Sequence, residues 1–380
     1  MAKKYDIVIV GAGLYGATCA RLLTDKGYKC MIVEKNDYVG GMCATKRMND
    51  IDVHIHGPHV FNTKDRETWE FITKYCKMNS YRHAETMLVG NRLVSLPIDT
   101  RAFNMMFGTL NAMTAYNEVK NEIKNYNVKE PSSFEDSLVL KYGTTLYTQV
   151  FKSYYEKKFG RSCGELAPDM PDTQPCYFKL ANEMYDTPWQ GVPEEGYSKL
   201  VENMIGDDIP IMLNKDFVGN LDTMHDIGDV IIYTGPLDRL CKYVYGPLSW
   251  TSLDVKLVDE SLRGTHIYGN AVTKVSDKKS DILRITEHKW FTPERQSDDE
   301  WKNHNFITYE YFKPYSVDTD PAYSINNVES MELYKKYLEY AEKKWPNIVM
   351  GGTKGLYINM GMDETVRSAI DICKTIPQKS

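Results

Sequence analysis

Residues 5–34 read YDIVIVGAGLYGATCARLLTDKGYKCMIVE. Tyr5–Val10 is a short run of β-forming residues, followed at once by a turn carrying Gly11, Gly13 and Gly16. From Ala17 to Lys26 the pattern predicts a helix with Ala17, Ala20 and Leu22 or Leu23 on its packed side, ended by Gly27. Lys29–Glu34 predicts a second strand. Strand, tight turn, helix and strand are the opening of a parallel sheet. Three glycines at this spacing are weak evidence alone, but here they stand directly between strand and helix. Gly11 permits the tight turn, Gly13 lets backbone approach a pyrophosphate, and Gly16 lets helix and strand pack closely. The helix N-terminus then offers N–H groups and the positive end of its dipole to phosphate. Glu34, about twenty residues on, stands where a carboxylate accepts hydrogen bonds from an adenosine ribose.

Lys35 follows, and then the adjacent pair Gly40 and Gly41, which suggests a second close approach of backbone to cofactor. That extension points to a two-dinucleotide-binding flavoprotein rather than a simple NAD dehydrogenase, so FAD is the expected cofactor. His54, His56 and His59 lie just beyond. Alternation would place His54 and His56 on one strand face, where a metal site is conceivable. No second cluster of ligands stands out, so no metal is assigned, and His59 is expected to pack beside the flavin.

Outward from this core, 380 residues suggest two to three domains. Lys and Arg number 46 against 52 Asp and Glu, a formal net charge of −6, which argues against nucleic acid or an anionic membrane as main partner. No apolar run approaches the ~20 residues of a membrane span. The start MAKK lacks the apolar stretch of a signal peptide, so a cytoplasmic location is expected. Eight cysteines without a C-x-x-C pair support neither a disulfide framework nor a zinc cage. Thr63 is expected to cap a helix with Trp69, Ile72 and Cys76 on its buried stripe. Residues 79–199 lose the strand signals and read as helices broken by Pro97, Pro131 and the stretch from Pro168 to Pro175. Strand signals return over Lys215–Thr234. The runs Lys256–Asp259, Ala271–Val275, Ile282–Glu287 and Phe306–Tyr311 predict an antiparallel sheet. Glu329–Trp345 predicts an amphipathic helix, Asn347–Met350 a last short strand, and Asp363 the start of a final helix. The expected fold is α/β. A Rossmann-like FAD-binding domain is assembled from 1–78, 200–247 and 325–380, with a mainly helical substrate domain at 79–199 and an antiparallel β-sheet domain at 248–324.

The glycine turn, Glu34-Lys35 with Gly40-Gly41, and GPHVF at 57–61 are joined by YYEKKFGR at 154–161, QGVP at 190–193 and GYSKL at 196–200. YTGP at 233–236, GNAV at 269–272, RITEHK at 284–289 and MGG at 350–352 with Met362 complete the set. In this order, over nearly the whole chain, they resemble the UDP-galactopyranose mutase family. The resemblance implies an isomerase that interconverts pyranose and furanose forms of a nucleotide sugar with reduced FAD, through a flavin N5–sugar adduct and without net redox change. Catalysis by the cofactor explains why no nucleophilic Ser, Cys or Lys motif stands out. A reductant such as NAD(P)H and a homodimeric assembly are the partners that go with this reading. The resemblance also implies Arg284, His59 and Tyr323 as catalytic, and Gly352 and Met362 as further cofactor contacts. Tyr154 would stack on the base, and Phe159, Tyr185, Arg284, Tyr323 and Asn359 would meet substrate. The substrate half departs from the family. Phe159 stands for its tryptophan near the flavin, and Thr173 and Tyr177 for the two arginines of an Arg-x-Pro-x-Arg run. Thr353 stands for its arginine after the glycine pair, and Asn359 and Gly361 for its substrate tyrosine and aspartate. Lys152, Lys157 and Lys158 are the neighbouring cations available to compensate. The alternatives are an FAD-dependent oxidoreductase of the amine-oxidase type and a flavin-binding homologue that has lost catalysis.

Overall fold

In the computed structural model, which describes residues 4–108, 111–170, 174–263 and 266–379, the chain begins with β1 (Tyr5–Val10), α1 (Leu14–Asp25) and β2 (Cys30–Val33). A hairpin of β3 (Thr45–Met48) and β4 (Ile51–His54) leads to β5 (Phe61–Thr63) and α2 (Arg66–Ile72). Next come β6 (Glu85–Val89), β7 (Arg92–Leu96) and the helices α3 (Thr100–Phe107), α4 (Ala112–Tyr126), α5 (Phe134–Leu146) and α6 (Lys152–Phe159). The chain returns through β8 (Trp189–Gly191), α7 (Gly196–Ile205), β9 (Ile211–Met212), the single turn α8 (Leu221–Met224), β10 (Gly228–Tyr233) and the turn α9 (Leu237–Leu240). Then follow β11 (Trp250–Asp259), β12 (Val272–Val275), β13 (Ile282–Glu287), α10 (Asp299–Asn303) and β14 (Phe306–Pro314). The last elements are β15 (Tyr323–Ser324), α11 (Val328–Lys344), β16 (Ile348–Met350), the turn α12 (Gly352–Gly355) and α13 (Met362–Thr375).

Five strands form a parallel sheet in the order β16-β10-β1-β2-β9. β1 is central and its apolar run is buried on both faces, as a covered parallel strand requires. Ile7, Ile9 and Ile32 face a core completed by Ala17, Leu200 and Ile370 from α1, α7 and α13. The alternate residues Val8, Val10, Met31 and Val33 face a second core with Leu240, Tyr337 and Tyr357. The β1–α1–β2 unit, the α11 helix and the last strand β16 lie where the sequence places them, within three residues.

A seven-stranded sheet, β15-β11-β14-β13-β12-β6-β7, forms the second layer. Its strands are antiparallel except that β6 runs parallel to β12. The sequence reading missed the β6–β7 hairpin, because the segment was read as helical throughout. Met87, Val94 and Leu96 of this hairpin are buried under Ala102, Leu138 and Tyr155 of the helices, so it is the floor of the helical core. Two further expectations shift. Asp65, not Thr63, caps α2: its carboxylate accepts from the N–H of Glu67 and Thr68, while Thr63 Oγ1 accepts from the N–H of Asp65. The stretch 218–227 is a run of short helical turns, and the strand is confined to Gly228–Tyr233.

The glycine turn is held by sterics. Gly11 has φ of +107°, and a Cβ on Gly16 would lie 2.0 Å from the Gly11 carbonyl oxygen. Gly16→Val therefore should lower the thermal midpoint, with a cost of about 1–3 kcal/mol or more from overpacking. Differential scanning calorimetry of the variant beside the wild type reads this directly.

Candidate active site

Gly13 caps α1 without a side chain, and the first turn of the helix carries no acidic residue. The N–H groups of Leu14, Tyr15 and Gly16 thus have neither intrahelical partner nor compensating charge from the chain, which is the condition under which a helix end takes an anion. A cavity of about 680 Å³ opens there. All ten residues expected to contact the cofactor line it: Gly11, Gly13, Gly16, Glu34 and Lys35, with Gly40, Gly41, His59, Gly352 and Met362. Gly41 packs against Gly13 so closely that a Cβ on it would lie 2.9 Å from the Gly13 Cα. The Gly40 N–H donates to the Ala12 carbonyl at 2.8 Å. Glu34 ties the same loop, accepting from the N–H of Ala12 at 2.7 Å and of Asn36 at 2.9 Å. The carboxylate keeps further acceptor capacity on the cavity side. Volume, anion-ready helix end, bare glycine cradle and buried carboxylate together fit a dinucleotide.

The histidines separate. His54 ends β4, fully buried, and its Nδ1 accepts from the N–H of His59 at 3.0 Å. His56 lies beyond the strand, 2.8 Å from the Tyr38 hydroxyl, on the cavity wall. The expectation of His54 and His56 on one strand face is therefore corrected: β4 stops at His54. Among the described residues no group of three potential metal ligands converges. Burial pushes His59 down to about 4, so its ring is neutral, and its Nδ1 donates to the Gly57 carbonyl at 2.8 Å.

Gly57 joins this cavity to a second site. It has φ of +96°, and a Cβ on it would lie 2.9 Å from Arg284 Nη2 and 3.1 Å from Glu310 Oε2. Arg284 grips Glu310 through two hydrogen bonds of 2.7 Å. Burial opposes the charge on Arg284, but Glu310 outweighs it and holds the guanidinium well above its ordinary value. Across the sheet Arg284 faces Lys274, an arrangement of like charges that would be unfavourable alone. Lys274 is paired in turn with Glu85 at 2.7 Å, and His83 Nε2 lies 3.1 Å from the other Glu85 oxygen. Burial raises Glu85, yet Lys274 and His83 overcome it and hold the carboxyl far below the carboxylate range. One face of β6, β12, β13 and β14 thus carries a buried ladder of Glu85, Lys274, Arg284 and Glu310.

The helix α6 lies over this ladder. Tyr154 and Lys158, one turn apart, share a face of it. Lys274 Nζ is 5.6 Å from the Tyr154 ring centre, and Lys158 Nζ is 4.3 Å from that of Tyr323 and 5.4 Å from that of Phe159. Phe159 is buried, packed edge-on against Phe134. Tyr185 stacks on His83 at 5.4 Å. Asn359 holds β15 beside Tyr323: its amide accepts from the Ser324 N–H at 3.1 Å and donates to the Ser324 carbonyl at 2.9 Å. Thr353 lines the cofactor cavity, Tyr177 donates its N–H to the Ile98 carbonyl at 2.8 Å, and Thr173 lies outside the described residues. Sequence reasoning missed Glu85, Lys274 and Glu310. Their signal was present as charged residues at inward positions of alternating strands, where each needs a partner.

The family described as UDP-galactopyranose mutase matches residues 149–358, and a NAD(P)-binding Rossmann-like domain matches residues 9–75. A Klebsiella pneumoniae protein named "Probable UDP-galactopyranose mutase" is 30% identical, over 96% of this chain and 93% of its own. The chain belongs to the UDP-galactopyranose mutase family. Family members need not share one substrate: an Escherichia coli relative named dTDP-fucopyranose mutase is 27% identical over 96% of both chains. Among solved structures, a reduced UDP-galactopyranose mutase superposes with a TM-score of 0.75 at 14% identity, covering 98% of this chain and 95% of that one. The mutase fold and a flavin-binding site are thus shared properties of this chain.

Removing one partner from the ladder leaves a buried charge alone. Glu85→Gln should cost about 3–5 kcal/mol in a denaturant titration, and the double variant Glu85→Leu/Lys274→Met should recover most of it. Because Glu85 is lowered on folding, its stabilising contribution is complete above its unfolded value near 4.5 and fades as the pH falls below that. A stability profile from pH 7 to 3 should therefore fall more steeply for the wild type than for the double variant.

Proposed function

We propose that this protein is a flavin-dependent mutase that interconverts the pyranose and furanose forms of a nucleotide sugar, with FAD as its resident cofactor in the reduced state. The observation that carries the reading is contiguity. Gly57 lies against both Arg284 and Glu310, and the next turn places neutral His59 on the cofactor cavity wall. Reduced FAD, when bound, supplies the electron-rich nucleophile that the chain itself lacks. The residues of the chain bind, orient and stabilise. Arg284, fixed by Glu310, faces the leaving diphosphate, and charge-assisted contacts of this kind are the strong ones. Tyr154 forms the platform for the base and Tyr323 contributes a hydroxyl to the phosphates.

Of the lysines available to replace missing arginines, Lys157 is already spent on the carbonyls of Asp277, Ser280 and Ile282 at 2.9–3.1 Å. Lys152 lies 3.9 Å from Glu156. Lys158 is buried against Tyr323, so Lys158 and Lys274 are the cations that join Arg284 in this reading. Two relatives that differ in both sugar and base in their names leave the substrate open, and the altered positions Tyr177, Thr353, Asn359 and Gly361 favour one other than UDP-galactopyranose. Eight free cysteines suit a reducing compartment, which supports the cytoplasm as location and NAD(P)H as reductant.

Two outcomes test the reading. Reduced protein incubated with a panel of nucleotide sugars should give furanose products by chromatography, with reductant not consumed in proportion to product. Stoichiometric consumption moves the protein to the oxidoreductases. Arg284→Lys keeps a charge for Glu310 but loses the fork, and should lower turnover about ten- to a hundredfold while flavin absorbance stays. Near-normal turnover of that variant removes Arg284 from the mechanism.

A further inference from the structure

Lys354 stands in the turn α12, and its side chain lines the cofactor cavity. Its ammonium makes no hydrogen bond and no ion pair with any described residue. The charged groups around it come from every wall: Glu34 and Lys35 from the end of β2, His56 from the loop after β4, Arg239 from α9, and Asp320 from the loop before β15. The anions among them are engaged. Asp320 pairs with Lys35, and Glu34 accepts the N–H groups of Ala12 and Asn36. Arg239 is held 3.1 Å from Asp216 on the rim, where Lys215 and Asp318 also lie. A half-buried ammonium without a protein partner gains when a ligand completes it. Burial drives Lys354 down to about 8, with Asp320 opposing and Lys35 adding to the shift.

Resting on the reading of FAD as cofactor, we propose that Lys354 is a pyrophosphate ligand, its ammonium donating to phosphate oxygens of the dinucleotide bound at the N-terminus of α1. Three observations carry it. The cation is half-buried, it lines the cavity that contains the glycine turn, and it lies near Glu34 at the ribose end and His56 further along the wall. A dinucleotide spanning that cavity brings the two negative charges of its pyrophosphate to its middle. The positive charge that the family pattern places directly after Gly351-Gly352 stands one residue later in this chain, past Thr353.

The test is the release of FAD from the holoprotein on dilution, followed by the rise in flavin fluorescence. Lys354→Met should raise the dissociation constant at pH 7 by about ten- to a hundredfold, and Lys354→Arg should stay close to the wild type. Bound pyrophosphate favours the protonated amine, so wild-type affinity should fall as pH rises above about 8, and Lys354→Arg should lack that fall. Burial lowers His56 from 6.5 and raises Tyr38 from 10.0, so neither supplies this slope. Should Lys354→Met fold poorly by circular dichroism, the wild-type and Lys354→Arg pH profiles decide alone. Unchanged affinity in Lys354→Met, or the same pH slope in Lys354→Arg, overturns the proposal and leaves the FAD reading standing. A wild-type protein that takes up no FAD overturns both.

Discussion

Two segments of main chain, the turn after β1 and the loop after β2, meet with almost no space between them. Gly13 and Gly41 stand face to face, and a side chain on Gly41 would press on the Gly13 Cα at 2.9 Å. Glu34 holds the arrangement from below, through the N–H groups of Ala12 and Asn36. Much of the molecule depends on this contact. It leaves the first N–H groups of α1 open to the cavity, and it places the second glycine pair where backbone rather than side chain meets the ligand. The cost of so much bare backbone is met by burying the sheet behind it on both faces, with β1 covered by two separate cores.

The second sheet rests on a different principle. Four charged side chains are largely withdrawn from water along one of its faces, and only their alternation in pairs makes that acceptable. Arg284 is held in one orientation because Glu310 occupies two of its donors, and Lys274 is compatible with Arg284 because Glu85 neutralises it. In the proposed reading, the nucleotide-binding half of the site is a pre-set charge pattern, presented through α6 and β15 by Tyr154, Lys158 and Tyr323.

Legibility in the sequence followed the range of the interactions. The glycine turn, Glu34 and Gly40-Gly41 act over a few residues or one β–α–β unit, so their spacing alone carried the meaning, and they line one cavity together with Gly352 and Met362, which only the family resemblance suggested. The helix cap at Asp65 was misplaced by two residues because Thr63 is also a competent cap, and only the geometry of the turn distinguishes them. The hairpin β6–β7 escaped notice because its two short strands are followed by a long helical stretch, although Gly90 and Asn91 between alternating runs are a usable turn signal. Glu310, Glu85 and Lys274 were illegible for a stronger reason. Arg284 meets Glu310 only through the register of β13 on β14, and Lys274 meets Glu85 only because β6 docks parallel to β12, a pairing no local pattern announces.

The walls of the cofactor cavity come from residues as early as Val10 and as late as Thr365, with pieces from 215–243 and 315–322 between them. Loop closures of that span are slow to form and are completed only with the whole fold. A growing chain at the ribosome carries the full glycine fingerprint after a few dozen residues, yet it has no enclosure for a dinucleotide until α13 has been made. Enclosure of a ligand in this cavity therefore depends on parts of the chain that meet only in the completed fold.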